Sequence, residues 1–298
     1  MTLTITPLHP SIAGEVAGAD LTRPQTPDEV RAIEAGMDRH AVLIFRDQPI
    51  TDDKQKAFTI HFGALEAYKT RGHIRERVDS RLSPGISDFS NLDRDGRILP
   101  ADDRIWLFKL GDRLWHSDSS FRPVPAIYSL LSGRQIPSRG GNTEFADMRA
   151  AYDALDDRTR ALVDGLVCHH SLIYSRRSIG FMEMTAEEME SFRPVRQRLV
   201  RAHPVTGRKS LFLSSHAGAI EGWTIPEAQC FLRDLTEHAT QPRFVYSHAW
   251  RPHDLVMWDN RVTMHRARPF PADEIRDVRR TTVGGTEPTI EQTEPVSA

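Results

Sequence analysis

Apolar residues recur with two different periods along this chain, and the switches between them mark out its elements. Residues 2–7 and 41–46 are short β-branched or apolar runs and predict strands. Over 26–37, Val30, Ile33 and Met37 fall on one helical face, and Thr26 before Pro27 supplies an N-cap and a first-turn proline. Residues 51–62 repeat the pattern, with Thr51 ahead of two aspartates and Ala57, Phe58 and Ile60 apolar. The first 65 residues therefore predict strand, helix, strand, helix.

Helical spacing returns over 148–167, through Ala150, Tyr152, Leu155, Leu162, Val163 and Leu166, and over 226–239, with Phe231, Leu232 and Leu235 inward. Strand-like runs lie at 126–132, 199–202, 209–214, 244–250, 255–258 and 278–283. Turn signals separate them at Gly140-Gly141, Thr206-Gly207 and Asp259-Asn260. So many short strands predict a mostly β chain, a sandwich or barrel with flanking helices. Residues 67–107 are polar, rich in arginine and broken by Pro84-Gly85 and Asp95-Gly96, which reads either as a mobile lid or as plain surface. The Thr/Glu/Pro-rich end predicts one domain over 1–286 and a frayed tail over 287–298.

Composition narrows the function classes. With 39 basic residues against 41 acidic, the chain carries no basic excess of the kind nucleic-acid binding requires. No run approaches the ~18 apolar residues of a membrane span, and residues 1–10 lack a signal-peptide pattern. Two cysteines, Cys168 and Cys230, are too few for a disulfide framework, so we expect a cytoplasmic protein with both thiols reduced and packed inside.

The candidate chemistry begins at Trp115-His116-Ser117-Asp118. Residues at i and i+2 of a strand share a face, so His116 and Asp118 can offer an imidazole and a carboxylate side by side. Alone, such a pair is also what a surface histidine near an aspartate looks like. A second histidine would complete a two-histidine, one-carboxylate facial triad, which leaves positions on iron open. His265 follows the apolar run 255–258 and its Asp-Asn turn, Arg276 comes 11 residues later and Arg280 four beyond that. Were 276–282 extended, Arg276, Val278, Arg280 and Thr282 would share a face opposite Asp277, Arg279 and Thr281. Two arginines on one apolar face call for anionic partners, whether a bound carboxylate or the acids Asp273, Glu274 and Asp277 nearby. After Gly140-Gly141, Thr143 has a hydroxyl able to share such a carboxylate. Trp115, Phe121 and Trp258 flank these motifs and read as core packing.

The stretches WHSDSSF at 115–121, GGNTEFADMRAAYDAL at 140–155, LVMWDNRVTMHRA at 255–267 and RRTTVGG at 279–285 resemble the taurine-dioxygenase superfamily of 2-oxoglutarate-dependent oxygenases. Within it the likeness is greatest to the 2,4-dichlorophenoxyacetate (aryloxyalkanoate) dioxygenases of the alpha type. The resemblance spans Pro7 to about Pro288. It implies a double-stranded β-helix (jelly-roll) core and Fe(II) held by His116, Asp118 and His265, with 2-oxoglutarate and O₂ as co-substrates. It further implies that Thr143 and Arg276 grip the far carboxylate of 2-oxoglutarate, and that Arg280 and His216 meet the primary substrate. Lys69, Arg71 and His73 are basic residues of the 67–81 loop that could help it close over an anionic substrate, with none of them singled out. The expected partner is a small anionic molecule, with self-association into a homo-oligomer as a further expectation. Taurine-like sulfonates and alkyl sulfates offer Arg280 the same charge, and a zinc hydrolase or a non-catalytic jelly-roll binding module are readings from other classes.

Overall fold

A computed structural model of the chain describes residues 3–66 and 81–292. The centre of its largest sheet is the strand Leu255–Asp259, in which every residue is buried. A strand covered on both faces reads as a continuous apolar run, and Leu-Val-Met-Trp is one. It pairs antiparallel with Val42–Phe45 on one side and Tyr128–Gln135 on the other. Beyond Val42–Phe45 lie Gly14–Ala17 and then Thr4–Pro7; beyond Tyr128–Gln135 lie Asp277–Val283 and then Ser87–Asp88. A second, three-stranded sheet places Thr143–Asp147 between Val245–His248 and Thr263–Ala267. Smaller pairings join Val200–Ala202 to Lys209–Leu211, and Val167–His170 to Ala217–Ile220 and Val195–Arg198.

Phe145 of the three-stranded sheet and Trp258, Val256, Leu131 and Val278 of the large one belong to a single buried cluster, so the sheets share a core. Each such side chain contributes roughly 1.5–3 kcal/mol by leaving water. Helix Pro27–His40 packs Ile33 and Met37 against Leu43 and Phe45 of the large sheet. It starts where predicted because Thr26 and Glu29 form a reciprocal capping box. Helix Asp52–Thr59 buries Gln55 and Phe58, and the amide of Gln55 donates to the carbonyls of Leu130 and Arg279, tying the helix to two strands.

The single helix expected over 148–167 is two, Met148–Asp153 and Asp157–Val163, with the strand Val167–His170 after them. Asp156 divides them: its carboxylate accepts from the amide of Thr159 at 2.9 Å and caps a new helix, an offer the apolar periodicity does not register. Short helices at Arg104–Lys109, Leu172–Ser178 and Ala186–Ser191 had no periodic signal. Part of the 67–107 segment is ordered: Ser87–Asp88 pairs with Arg280 and Arg279, and Leu92 bridges Ile98. Residues 67–80, with Lys69, Arg71 and His73, lie outside the described residues. Both cysteines are free, but only Cys168 is buried; Cys230 is exposed on the helix Ile225–Ala239, which corrects the expectation that both pack inside. Among the described residues no helix is long and apolar enough to cross a membrane.

Candidate active site

His116 and His265 meet through an isolated antiparallel bridge. Each amide donates to the other's carbonyl, at 3.0 and 2.8 Å, which sets the two imidazoles side by side with centroids 4.2 Å apart. The extended run expected across 116–118 is therefore a one-residue bridge. Asp118 comes next in a turn whose following residue, Ser119, has a φ of 56°. The turn brings the carboxylate back toward the histidines: Nε2 of His116 lies 3.9 Å from Oδ1 of Asp118, and Nε2 of His265 lies 3.8 Å from Oδ2. All three side chains are buried, and ligand atoms from each fall within 4.8 Å of one another.

This donor set fits a divalent metal ion. Donors ~2.1 Å from an ion stand about 3 Å apart in adjacent positions, so a small inward movement would close the triad. Nδ1 of His116 donates to the carbonyl of Leu114 at 2.8 Å, which leaves the Nε2 lone pair for a metal. Burial, helped by neighbouring His116, holds His265 well below the usual imidazole range, in its neutral, ligating form. Burial pushes Asp118 up, but Arg280, His265, His116 and the Ser129 hydroxyl outweigh it and hold the carboxyl at about 2.

A chain of hydrogen bonds fixes Asp118. Ser129 donates to Oδ2 at 2.7 Å, and Asn260 donates from Nδ2 to the Ser129 hydroxyl at 2.9 Å. Oδ1 of Asn260 accepts from the Asp118 amide at 3.2 Å and from the indole of Trp258 at 3.0 Å. Trp258 also lies against His265, with centroids 4.7 Å apart, so it belongs to both core and site. Ser129 and Asn260 were not singled out in the sequence. Their signals were a serine beside the apolar pair Leu130-Leu131 and an Asp-Asn pair read only as a turn.

Arg276 and Arg280 are both buried, the first just ahead of the strand Asp277–Val283 and the second in its middle. Arg279 points the other way and pairs with Asp52 and Asp277, while Glu274 accepts from Ser138, so these acids are engaged away from Arg276 and Arg280. Arg280 donates to Asp118 and lies over the ring of Phe89 at 4.3 Å. Arg276 is held by its backbone, its amide donating to the side chain of Asn91 at 2.9 Å. Among the described residues no carboxylate hydrogen-bonds or ion-pairs its guanidinium, which lies 5.8 Å from the centroid of the Phe270 ring. Burial lowers it to about 10, with Asp112 opposing, so it stays charged at neutral pH.

Thr143 sits opposite Ala267 and Phe145 opposite His265, so Thr143 shares a face with the residue that packs on His265. Its hydroxyl accepts from Trp250 at 3.0 Å and keeps its own hydrogen for another acceptor. The glycines before it make room. Gly141 has a φ of 68°, and a Cβ there would stand 3.4 Å from Nε of Arg276. His216 is also beside the triad, its ring 5.9 Å from that of His116 and 5.2 Å from that of Phe121, with Nδ1 2.8 Å from the Ser175 hydroxyl. Burial first, then Arg176, keeps His216 neutral. Trp115 lies apart from this group, packed under Arg266 at 4.5 Å.

Comparison with known proteins agrees with this geometry. The model of the taurine catabolism dioxygenase TauD, TfdA family matches residues 4–282. The chain is 42% identical over 278 residues to the alpha-ketoglutarate-dependent 2,4-dichlorophenoxyacetate dioxygenase of Burkholderia sp. (strain RASC), covering 93% of each. It is 37% identical to the (S)-phenoxypropionate/alpha-ketoglutarate-dioxygenase of Delftia acidovorans, covering 90% of each. Among solved structures, that of AAD-2 in complex with Mn(II) and N-oxalylglycine superposes with a TM-score of 0.94 at 58% identity, over 97% of this chain and 100% of that one. With a family match over nearly its whole length, the chain belongs to the taurine catabolism dioxygenase TauD, TfdA family.

Proposed function

We propose that this protein is an Fe(II)- and 2-oxoglutarate-dependent dioxygenase acting on a small anionic substrate, with an aryloxyalkanoate such as 2,4-dichlorophenoxyacetate as the preferred class. The observation that carries the reading is the pairing of a buried His116–Asp118–His265 cluster with a buried arginine, Arg276, whose guanidinium has no carboxylate in hydrogen-bond or ion-pair contact among the described residues. A zinc hydrolase explains the cluster and leaves Arg276 and Thr143 without a task. The large sheet and the three-stranded sheet around a shared core support the double-stranded β-helix assignment.

Iron, with 2-oxoglutarate and O₂, supplies the oxidising power to hydroxylate a C–H bond beside an ether oxygen. His116, Asp118 and His265 would hold the metal, and a three-ligand set of this kind would leave coordination positions free for the reactants. Arg276 and Thr143 grip the far carboxylate of 2-oxoglutarate, a guanidinium fork and a hydroxyl donor on one anion. Arg280 holds the substrate carboxylate, and His216 contacts the rest of it. Fixing both anions sets the target methylene in place, which is the main contribution a protein makes when a cofactor does the chemistry. Hydroxylation at that carbon gives a hemiacetal that collapses to a phenol and glyoxylate, while 2-oxoglutarate leaves as succinate and CO₂.

The test is an anaerobic titration with Fe(II) and 2-oxoglutarate, followed by 2,4-dichlorophenoxyacetate and O₂. A weak visible charge-transfer band, then phenol and succinate in equal amounts, is the expected outcome. The band without phenol would move the search to sulfonates and alkyl sulfates. Absence of the band, with zinc bound in its place, would overturn the reading.

A further inference from the structure

A cavity of about 310 Å³, separate from the residues above, opens beside the turn 285–287; Arg201, Arg261, Ile127, Pro204, Thr286 and Glu287 are among its lining residues. Arg261 is paired there, with Asp259 at 2.6 Å and the Tyr128 hydroxyl at 3.1 Å. Arg201 is not. It is only 7% exposed and stacks over Phe212 at 4.8 Å. The one hydrogen bond of its side chain among the described residues runs from Nε to the side-chain oxygen of Gln292 at 3.2 Å, and Nη1 is buried with no acceptor among them. Burial is the chief influence on this guanidinium and lowers it to about 10, so it remains a cation at neutral pH.

Removing a guanidinium from water without a matching acceptor is costly, and such a group is matched by a carboxylate in the geometry of its fork. The other walls are apolar at Ile127, Pro125 and Pro204. A single lining acid, Glu287, sits exposed and is not in ion-pair contact with Arg201. We propose that this cavity is a second anion site, which takes a small organic monocarboxylate with its charge on Arg201 and its apolar body against Ile127 and Pro204. The occupant would also lie near the active site's support: Asp259, which holds Arg261, immediately precedes Asn260, which holds Asp118.

The experiment is a fluorine NMR titration of the full chain with 4-fluorobenzoate. Arg280 and Arg276 also attract carboxylates, so two binding components are expected in the wild type. Arg201→Met should weaken one of them by ~10-fold or more, the usual loss for a charge-assisted contact, and leave the other. Arg280→Met should do the converse. Thr286→Trp fills the exposed rim without touching the buried arginine and should weaken the same component as Arg201→Met. Glu287→Gln removes a like charge and should tighten it by roughly 2-fold. If Arg201→Met fails to fold, the last two variants decide. An isotherm unchanged by Thr286→Trp and Glu287→Gln, with all binding lost in Arg280→Met, overturns the site.

Discussion

Arg280 donates from Nη1 to Oδ1 of Asp118, so the arginine assigned to the substrate also touches a carboxylate of the metal cluster. Arg276, four residues earlier, makes no such contact. The two neighbouring arginines therefore differ in what their loss should disturb, and the difference can be measured.

Arg280→Ala should raise the KM for substrate by ~10-fold or more, since a hydrogen bond to a charged group is worth about 1.5–3 kcal/mol. It should also raise the iron concentration giving half-maximal activity, because Asp118 loses the neighbour that does most to keep it ionised. The KM for 2-oxoglutarate should move by less than roughly 3-fold. Arg276→Met should show the opposite split, with a ~10-fold rise for 2-oxoglutarate and little change for substrate. Steady-state kinetics with each reactant varied in turn settle the matter, and equal losses in both columns would contradict the proposed division of labour.

Ser129→Ala should act through the metal alone. The hydroxyl donates to Oδ2 of Asp118 and in turn accepts from Asn260, so its loss loosens the carboxylate while sparing both arginines. Removing a group that orients a metal ligand typically costs ~10–100-fold in metal affinity. Activity titrated with Fe(II) should therefore shift to higher metal and recover toward wild type at saturation. A kcat that stays depressed at saturating iron would mean Ser129 has a part in the reaction itself.

Much of this arrangement was legible in the sequence because its signals are local. The capping residues Thr26 and Thr51, the apolar run 255–258 and the spacing from His265 to Arg280 each carry their own physics within a few residues. What the sequence concealed depends on contacts between distant segments. Nothing within 116–118 says that His116 finds a strand partner only at His265, or that Asp118 is turned back by the side chain of Asn260. The break at Asp156 was hidden for another reason: apolar periodicity runs on through it, while a side chain capping the next helix decides the backbone. The acids read as possible partners for the buried arginines were in part misassigned, since Asp277 serves Arg279 and Arg81 on the opposite face.

Gly141→Ala should separate backbone strain from the anion site. The residue has a φ of 68°, a conformation an alanine tolerates poorly, at a cost of about 1 kcal/mol or more. The added methyl would also stand 3.2 Å from Cγ of Pro137 and 3.4 Å from Nε of Arg276, so it crowds the proline and touches the arginine. We expect a thermal midpoint lowered by a few degrees and a raised KM for 2-oxoglutarate with the substrate KM unchanged. A lowered midpoint with normal 2-oxoglutarate kinetics would show that Arg276 accommodates the methyl and that the glycine serves the turn alone.

The segment leading to the metal face is clasped by charge, and the clasp should weaken in acid. Arg81 pairs with Asp277 at 2.9 Å and Asp88 at 3.3 Å, and Asp88 is paired in register with Arg279 on the strand that carries Arg280. Burial pushes Asp88 up, but Lys109, Ser90 and Arg81 together hold it at about 2. The folded state thus binds this proton less readily than the unfolded chain, whose aspartates titrate near ~3.9. The corresponding stabilisation, about 2 kcal/mol from the size of the shift, is present in full above that value and is lost as the pH falls toward 2. Asp88→Asn should therefore be less stable than wild type by about this amount at pH 6, with the gap closing between about pH 4 and pH 2. Denaturant unfolding of both proteins across that range provides the comparison. A gap that stays constant down to pH 2.5 would mean that Asp88 contributes through its hydrogen-bond geometry and not through its charge.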